Sequence, residues 1–439
     1  MRYSTWLFVS LAACGGSLNV GRGTALCTGG PDGGSDGGLV LGLQSSSPWP
    51  MYQAGPRLNG RAAAVGPTQP TAKWFVPGNF LFQPSIAADG TIYAVTDDVN
   101  GSTLQAIRPD GTLGWSLAPL NSEGGEGFNG TPAIRADGSL VIGTSFDGDG
   151  GLYAIAPSGC VEWVAPLADN AYSSPTVAPD GAIYLATIYK ILAFGVDGSA
   201  MWAATINPNT AAGFGAGTPV VGPDGMVYAG GAQTGLSAFN GSGVAQWTTA
   251  GYLASLGDDG TIYLVEQSAL RALTPLGAQL WSVTFQYGLS EVQPVSAADG
   301  TVFVVGGSYI GGGLIAVEAT GVPQWEASYP SNLALSPPIL GGDGTAYVGT
   351  MDIVIADCGP GCPSSTCTCG PETLGSGLRA ILPDGGAAWV FGPNAAFASP
   401  AIGADGTLYV AASWTNSNAG MPLAQPDAFG GLYALGETP

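Results

Sequence analysis

A tryptophan recurs seven times along this chain, each time four residues after a glycine. A short apolar stretch centred on an alanine precedes every copy. The pairs are Gly111–Trp115, Gly159–Trp163, Gly198–Trp202, Gly243–Trp247, Gly277–Trp281, Gly321–Trp325 and Gly385–Trp389. Because the offset is constant, the tryptophan side chain should occupy an equivalent position in each of the seven copies. The feature predicts stacked, similar units rather than one irregular core.

A second unit, an Asp-Gly pair followed by apolar residues, occurs eight times. The copies begin at Asp89, Asp137, Asp180, Asp224, Asp259, Asp299, Asp343 and Asp405. Asp-Gly between two apolar runs indicates a β-hairpin, and a two-residue turn of this kind requires positive φ at both positions. In seven copies a proline lies five residues before the aspartate, where it suits the start of a strand.

Together the two units make four short strands in a meander, and this predicts the blade of a β-propeller. The last copy, at 399–435, stops before its fourth strand, while an eighth tryptophan, Trp74, stands upstream of every Asp-Gly pair. We therefore expect the strand at 72–76 to complete the last blade. The predicted fold is all-β: an eight-bladed propeller of four-stranded antiparallel blades over 72–436, closed by the N-terminal strand around Trp74. Closure into a ring would remove most exposed sheet edges.

Charge and composition exclude several functions. The 439 residues carry a net charge of −21 with only ten Lys and Arg, so nucleic acid and anionic lipid surfaces are poor partners. The chain has no histidine, which removes the commonest general base and the commonest metal ligand. The acidic stretches at 97–101 and 146–151 lack a full calcium-loop pattern, and we interpret them as solvated loops.

The N-terminus predicts export. Residues 1–13 resemble a bacterial lipoprotein signal peptide, and the resemblance implies acylation of Cys14; an ordinary secretory signal is the alternative. The apolar run is too short to span a bilayer, so membrane attachment would be through the lipid only. Residues 14–48 are rich in Gly and Ser and predict a flexible tether. Gly15 and Gly16 follow the cysteine, whereas bacterial lipoproteins retained at the inner membrane carry an aspartate there, so the resemblance implies the outer membrane.

Six further cysteines fit an oxidising compartment. Four of them are crowded together and predict two disulfides with three possible connectivities. They are Cys358, Cys362, Cys367 and Cys369. A metal cluster is the alternative, although the spacing does not give paired zinc knuckles. Cys27 and Cys160 could pair or remain free.

The segment AVEATGVPQW at 316–325 resembles the docking motif of the PQQ-like, quinoprotein-type eight-bladed propellers, in which Thr-Gly follows an alanine strand and precedes a tryptophan. The stretch at 49–61, within a leader segment at 49–71, resembles the leader of many such propellers. The resemblance covers 49–436 and implies that the tryptophans dock neighbouring blades. These residues are Trp74, Trp115, Trp163, Trp202, Trp247, Trp281, Trp325 and Trp389. A large ring with one N–H donor suits that place.

A binding surface is predicted where the loops vary. A meander places alternate turns at opposite ends, so the Asp-Gly and Gly–Trp turns should share one face. The opposite face would carry two insertions, at 351–377 and 413–430, with Trp414 as a possible anchor for a partner or ligand. The alternative is that these two insertions have no binding role.

Two functional classes remain. The resemblance to quinoproteins implies a dehydrogenase with PQQ and calcium, but the chain has no Cys-Cys pair and no calcium-ligand set that can be mapped. The resemblance to lipid-anchored propellers of the outer-membrane assembly machinery implies a scaffold without cofactor. We favour a monomeric, non-catalytic envelope lipoprotein that binds a protein or glycan, without catalytic residues, metal or nucleic acid.

Overall fold

A computed structural model describes most of the chain. The described residues are 41–98, 101–120, 127–145, 150–167, 169–206, 217–231, 235–286, 288–289, 292–308, 311–329, 333–352, 377–392, 396–413 and 430–438. In this part of the chain, no helix is long and apolar enough to cross a membrane.

Within the described ranges, 34 strands and one short 3-10 turn, at Tyr52–Ala54, form the molecule. The first strand is β1 (Pro70–Pro77). Blade 1 holds β2 (Ser85–Ile86), β3 (Ile92–Asp98), β4 (Gly101–Ile107) and β5 (Leu113–Leu117). Blade 2 holds β6 (Gly127–Ile134), β7 (Leu140–Ser145), β8 (Gly151–Ile155) and β9 (Val161–Pro166). Blade 3 holds β10 (Thr176–Val177), β11 (Ile183–Ala186), β12 (Lys190–Phe194) and β13 (Ala200–Thr205). Blade 4 holds β14 (Val220–Val221), β15 (Val227–Gly231), β16 (Gly235–Phe239) and β17 (Ala245–Thr249).

The second half repeats this order. Blade 5 holds β18 (Tyr252–Leu256), β19 (Ile262–Glu266), β20 (Ala269–Leu273) and β21 (Gln279–Thr284). Blade 6 holds β22 (Val295–Ser296), β23 (Val302–Ser308), β24 (Gly311–Val317) and β25 (Pro323–Tyr329). Blade 7 holds β26 (Leu333–Leu335), β27 (Ile339–Leu340), β28 (Ala346–Asp352), β29 (Gly377–Ile381) and β30 (Ala387–Phe391). Blade 8 holds β31 (Ala396–Phe397), β32 (Ala401–Ile402), β33 (Leu408–Ser413) and β34 (Gly431–Glu437).

Each blade is an antiparallel meander, and the ring closes through the N-terminal strand. Strand order follows chain order in blades 1 to 6, and in blades 7 and 8 two short segments together form the inner strand. β1 pairs antiparallel with β34, with Trp74 opposite Ala434. The predicted fold class and the position of its closing strand are confirmed.

The Asp-Gly hairpins differ from the predicted turn. In blade 5, the Gly260 N–H donates to the Gly257 carbonyl at 3.1 Å, and the Gly257 N–H donates to the Thr261 carbonyl at 2.9 Å. Only the glycine has positive φ, 84° at Gly260, and Asp259 does not. This is a three-residue loop with a glycine bulge, in which the Asp259 side chain accepts the Thr261 N–H at 2.9 Å. The expectation of two positive-φ positions was wrong, because the loop has three residues rather than two and only its last residue, the glycine, is left-handed.

A row of three residues across each blade explains the alanine. In blade 5, Tyr263 lies opposite Ala272, and Ala272 lies opposite Trp281. The two rings meet over the alanine with their centroids 6.0 Å apart. The same aromatic contact, at 5.7 to 5.8 Å, occurs in the pairs Tyr93–Trp115, Tyr184–Trp202, Tyr228–Trp247, Phe303–Trp325, Tyr347–Trp389 and Tyr409–Trp74. A small side chain is required because the two rings share the space above it.

A larger residue in the middle of this row should destabilise the protein. We expect Ala272→Leu to lower the free energy of unfolding by about 1–3 kcal/mol, because the new side chain would push Tyr263 and Trp281 apart. Ala269→Leu, on the same strand but partly exposed, is the matched control and should change little. Chemical denaturation followed by circular dichroism measures both. Equal stability of the two variants would contradict the shared-space explanation.

The hydrophobic core lies between neighbouring blades. One cluster joins residues of blades 1 and 2, a second joins blades 3 and 4, and a third joins blades 5 and 6. The cluster around the closing strand joins blades 7, 8 and 1. A single blade alone would therefore bury little of its apolar surface, and the ring is stabilised by contacts between each sheet and the next.

Candidate functional site: the turn face and the channel mouth

Seven of the eight predicted docking tryptophans donate a hydrogen bond from one blade to the next, and the eighth, Trp163, lies against Gly198 of the following blade. The indole N–H of Trp247 donates to the Pro275 carbonyl at 3.0 Å, in the Gly–Trp turn of the following blade. The equivalent bonds, at 2.7 to 3.0 Å, are Trp74–Pro109, Trp115–Pro157, Trp202–Gly241, Trp281–Ala319, Trp325–Pro383 and Trp389–Pro67. Gly277 of the same turn lies against the Trp247 ring, and a Cβ there would be 2.8 Å from its Cδ2. Glycine is therefore required here for two reasons: the turn needs a positive φ, which is 81° at Gly277, and the ring approaches too closely for a Cβ.

The joint between blades 2 and 3 is built differently. Its row has Val141 in place of the tyrosine, and the Arg135 guanidinium lies 5.7 Å from the centre of the Trp163 ring. Arg135 Nη1 donates to the Val196 carbonyl at 2.8 Å, the carbonyl equivalent to Pro275, and Nη2 donates to Glu162 at 2.7 Å. Burial raises the pKa of Glu162 despite the opposing effect of Arg135. Here an arginine makes the bond that a tryptophan makes at the other joints.

The carboxylates of the Asp-Gly turns form the hairpins rather than a ligand site. All eight accept the backbone N–H two residues further on, at 2.9 to 3.1 Å. At Asp405 burial acts to raise the pKa, but hydrogen bonds from Thr407 and Lys73 hold it below its ordinary value. Among the described residues, no three His, Cys, Asp or Glu side chains are grouped so that they could hold a metal ion.

The leader segment, which the sequence interpretation left without a place, lies across the turn-side mouth of the central channel. Its carbonyls accept backbone N–H groups at the ends of inner strands from blades 1, 2, 4, 5 and 7. The pairs are Ile86 to Trp49, Ile134 to Pro50, Val221 to Pro56, Leu256 to Arg57 and Leu340 to Gly60, at 2.7 to 2.9 Å. The segment then passes blade 8, where Val65 lies against Gly406, and enters β1. It therefore runs around the mouth before it closes the ring.

Side chains of the leader fill the mouth. Trp49, Met51, Gln53 and Leu58 are 0% exposed. Met51 and Leu58 belong to one apolar cluster with inner-strand residues such as Val177. Two ion pairs hold the segment to blade 5: Arg57 and Arg61 reach the same oxygen of Asp258, at 2.9 and 2.6 Å. The hydrogen bond from Arg61 lowers the pKa of Asp258, against the effect of burial. The apolar Trp-Pro-Met stretch was the sequence signal for this role.

A belt of neutral side chains ties the inner strands together around the channel. Gln83 donates to the Pro400 carbonyl at 2.7 Å, which joins blades 1 and 8, and its Oε1 accepts the Gln53 N–H of the leader at 2.8 Å. Thr131 of blade 2 donates to the Gln83 carbonyl at 2.8 Å. Thr176, in blade 3, donates to a carbonyl of blade 4 at 2.6 Å. The channel wall is therefore polar but uncharged at these positions.

The predicted loop-face residues lie mostly outside the described part of the chain. This holds for Trp414, for the four crowded cysteines and for Cys14 and Cys27, so their lipid, disulfide and binding roles stay predictions. The two insertions leave the ring between the second and third strands of blades 7 and 8, after β28 and β33. At the base of the first, Thr350 Oγ1 donates to the Gly377 carbonyl at 2.8 Å and accepts its N–H at 2.9 Å. Cys160 lies in a turn with its Sγ 3.4 Å from Ser158 Oγ.

Comparison with known proteins agrees with this architecture. Residues 100–260 match the PQQ_2 family model, described as outer membrane protein assembly factor BamB. Residues 100–260 carry PQQ-like propeller repeats. No curated protein matches it.

Two solved structures share the propeller fold. BamB from Moraxella catarrhalis is similar with a TM-score of 0.55 and 17% identity, over 82% of this chain and 100% of that one. The Dos1 propeller is similar with a TM-score of 0.54 and 10% identity, over 85% of this chain and 96% of that one. At these identities the likeness shows the fold alone, and the resemblance to PQQ-like propellers is confirmed at that level.

Proposed function

We propose that this chain is a non-catalytic cell-envelope lipoprotein whose propeller is a scaffold for binding another protein. The observation that carries the proposal is the match of its central repeats to a family described as an outer-membrane protein assembly factor. The fold of BamB from Moraxella catarrhalis, which this chain covers in full, supports the same assignment. A rigid ring with variable loops suits a docking platform.

The loop face is the proposed binding surface. On the turn face the channel mouth is filled by the chain's own leader, and the hairpin turns are short and alike. The two longest insertions instead leave adjacent blades, 7 and 8, on the opposite face. Neighbouring insertions can present one continuous surface to a partner, and this supports a role for Trp414.

The position of the tether supports a lipid anchor that leaves this surface accessible. The first described residues contact turns: the Ala136 N–H donates to the Gly42 carbonyl at 2.8 Å, and Leu43 bridges to Arg135. A tether from an acylated Cys14 would therefore reach the ring on its turn face. The loop face would then point away from the outer membrane.

Crosslinking in intact envelopes tests the scaffold. We expect mass spectrometry to find crosslinks from the loop face to one recurrent envelope protein, and their loss when 414–429 is replaced by a short Gly-Ser linker. Leu276→Arg is the matched control, because Leu276 is 86% exposed on the turn face, and it should leave the crosslinks intact. Crosslinks that survive the loop replacement, or that arise from the turn face, would contradict the proposed surface.

Two further measurements test the remaining parts of the proposal. Mass spectrometry of the mature N-terminus should find an acylated Cys14; an unmodified terminus downstream of it would remove the anchor. Calorimetric titration of the whole chain with PQQ and calcium should show no saturable binding. Micromolar saturable binding would instead favour a quinoprotein dehydrogenase.

A further inference from the structure

The leader makes many contacts, but several of its backbone conformations are energetically unfavourable. Three non-glycine residues have left-handed backbone: Gln53 with φ of 53°, Ala54 with 65° and Leu58 with 51°. Among the described residues only one other, Gln267, shares this conformation. L-residues rarely adopt it, and such strain persists only where surrounding contacts impose it. Three strained residues within a six-residue stretch therefore weaken the leader relative to the blades.

Unpartnered polar groups are concentrated at the same place. The Gln53 side chain is 0% exposed, and its amide oxygen has no hydrogen-bond partner among the described residues. Within the same part of the chain, the indole nitrogen of Trp49 and the hydroxyl of Ser85, on the first inner strand, are also buried without partners. A buried polar group without a partner loses its bonds to water without replacement. Opening of the leader would return these groups to solvent.

The contacts that oppose opening include an exposed pair of ion bridges. Asp258 is about half exposed, and it accepts both Arg57 and Arg61. Ion pairs at the surface are weak and are screened by salt. By contrast, strand ladders and aromatic rows hold each blade together, and tryptophan hydrogen bonds and apolar clusters join neighbouring blades. The strained backbone, the unpartnered groups and the weak ion pairs lower the free-energy cost of releasing the leader, whereas the burial of Trp49, Met51 and Leu58 opposes release.

We propose that residues 49–65 form a releasable plug of the turn-side channel mouth, which opens as one unit while the blades stay folded. Release exposes five backbone N–H donors arranged around the mouth, those of Ile86, Ile134, Val221, Leu256 and Leu340, together with the Asp258 carboxylate. That array accepts an extended segment carrying carbonyls and a basic side chain, as the leader itself does. The inference is independent of the lipid anchor and of the loop-face partner.

Hydrogen exchange of the full chain tests the plug. Amides that open together exchange with one common opening constant. We expect the five amides at the mouth to share one protection factor, lower than that of the interior amides of β15, β16 and β24. Raising NaCl from about 50 mM to about 500 mM should speed them together, because the Asp258 pairs are exposed. Five unrelated protection factors, or protection factors equal to those of the blade interiors, would overturn the proposal.

Two variants sharpen this test. Arg61→Gln should speed exchange of all five amides roughly two- to fivefold. Arg271→Gln is the matched control: it removes one ion pair, to Glu266 at 2.7 Å, from the same blade and should leave the mouth unchanged. Gly60→Ala should speed the five amides at least roughly tenfold, because φ there is 64° and a Cβ would lie 2.7 Å from Val295 Cγ1. If Gly60→Ala unfolded the blades as well, the plug would not be a separate unit and the proposal would fail.

Discussion

Replacing Trp247 by alanine is expected to lower the free energy of unfolding by about 3–5 kcal/mol. The ring of Trp247 covers Gly277 of the next blade, contacts Tyr228 with centroids 5.8 Å apart, and donates its N–H to the Pro275 carbonyl. Truncation would open a cavity at the joint of blades 4 and 5 and leave that carbonyl without its donor. Denaturant unfolding followed by circular dichroism measures the loss.

Two further variants separate the parts of this contact. Trp247→Phe keeps most of the ring and removes the N–H, so we expect a loss near 1 kcal/mol from the hydrogen bond, with a smaller cavity term added. Leu276→Ala changes a side chain in the same joint that is 86% exposed, and its effect should stay within about 0.5 kcal/mol. A near-neutral Trp247→Ala would show that the tryptophans do not dock the blades.

Alkaline pH is expected to unfold the protein from about pH 10 upward. Burial, and then the neighbouring turn aspartate, raises the pKa of Tyr93, Tyr263 and Tyr409 to about 12. The same causes raise the pKa of Tyr184, Tyr228 and Tyr347. In the unfolded chain a tyrosine ionises near pH 10. The stability from these protonated hydroxyls is therefore complete below pH 10 and is lost as the pH rises from about 10 to about 12.

The size of this loss is large because the row repeats around the ring. One pKa unit corresponds to about 1.4 kcal/mol, and solvent near the turn face screens part of it. We expect roughly 4–8 kcal/mol to be lost by pH 12 from Tyr93, Tyr263 and Tyr409 together. Tyrosinate absorbance and circular dichroism, recorded together, should change in one cooperative step.

A natural variation supplies the control for the alkaline experiment. Blade 6 has Phe303 where six other blades have tyrosine, with its ring 5.8 Å from Trp325. Tyr263→Phe should therefore be tolerated at neutral pH and should move the alkaline midpoint upward. Ionisation of the tyrosines below pH 10.5 without loss of the fold would contradict the burial of their hydroxyls.

The repeat units allowed most of the fold to be predicted from sequence, because each feature that matters is local. A glycine at a fixed distance from a tryptophan, or an aspartate before a glycine, acts within one hairpin. Eight copies then limit the ways in which the sheets can stack. The turn type was mispredicted at Asp259 because an Asp-Gly pair fits both a two-residue loop and the end of a three-residue loop, and the dipeptide alone does not reveal the loop length.

The candidate site was predicted less well, since it depends on contacts between distant residues. Nothing periodic marks the leader, and its Trp49 falls outside the repeat. No sequence pattern marks Arg135, yet it donates to the Val196 carbonyl, a bond that a tryptophan makes at the other joints. The two leader arginines meet Asp258 across about 200 residues of sequence, with separations of 201 and 197. No pattern in one sequence points to such pairs.

The sequence by itself determined the blade, the number of blades and the strand that closes the ring, because short-range hairpins and a repeated docking residue encode them. Only the tertiary structure decided that the leader fills the channel mouth and that blade 2 joins blade 3 through an arginine. Both depend on which groups from separate blades come within hydrogen-bond distance once the ring has closed. That proximity arises only when the ring of blades has closed, so it cannot be predicted from the sequence of any single repeat.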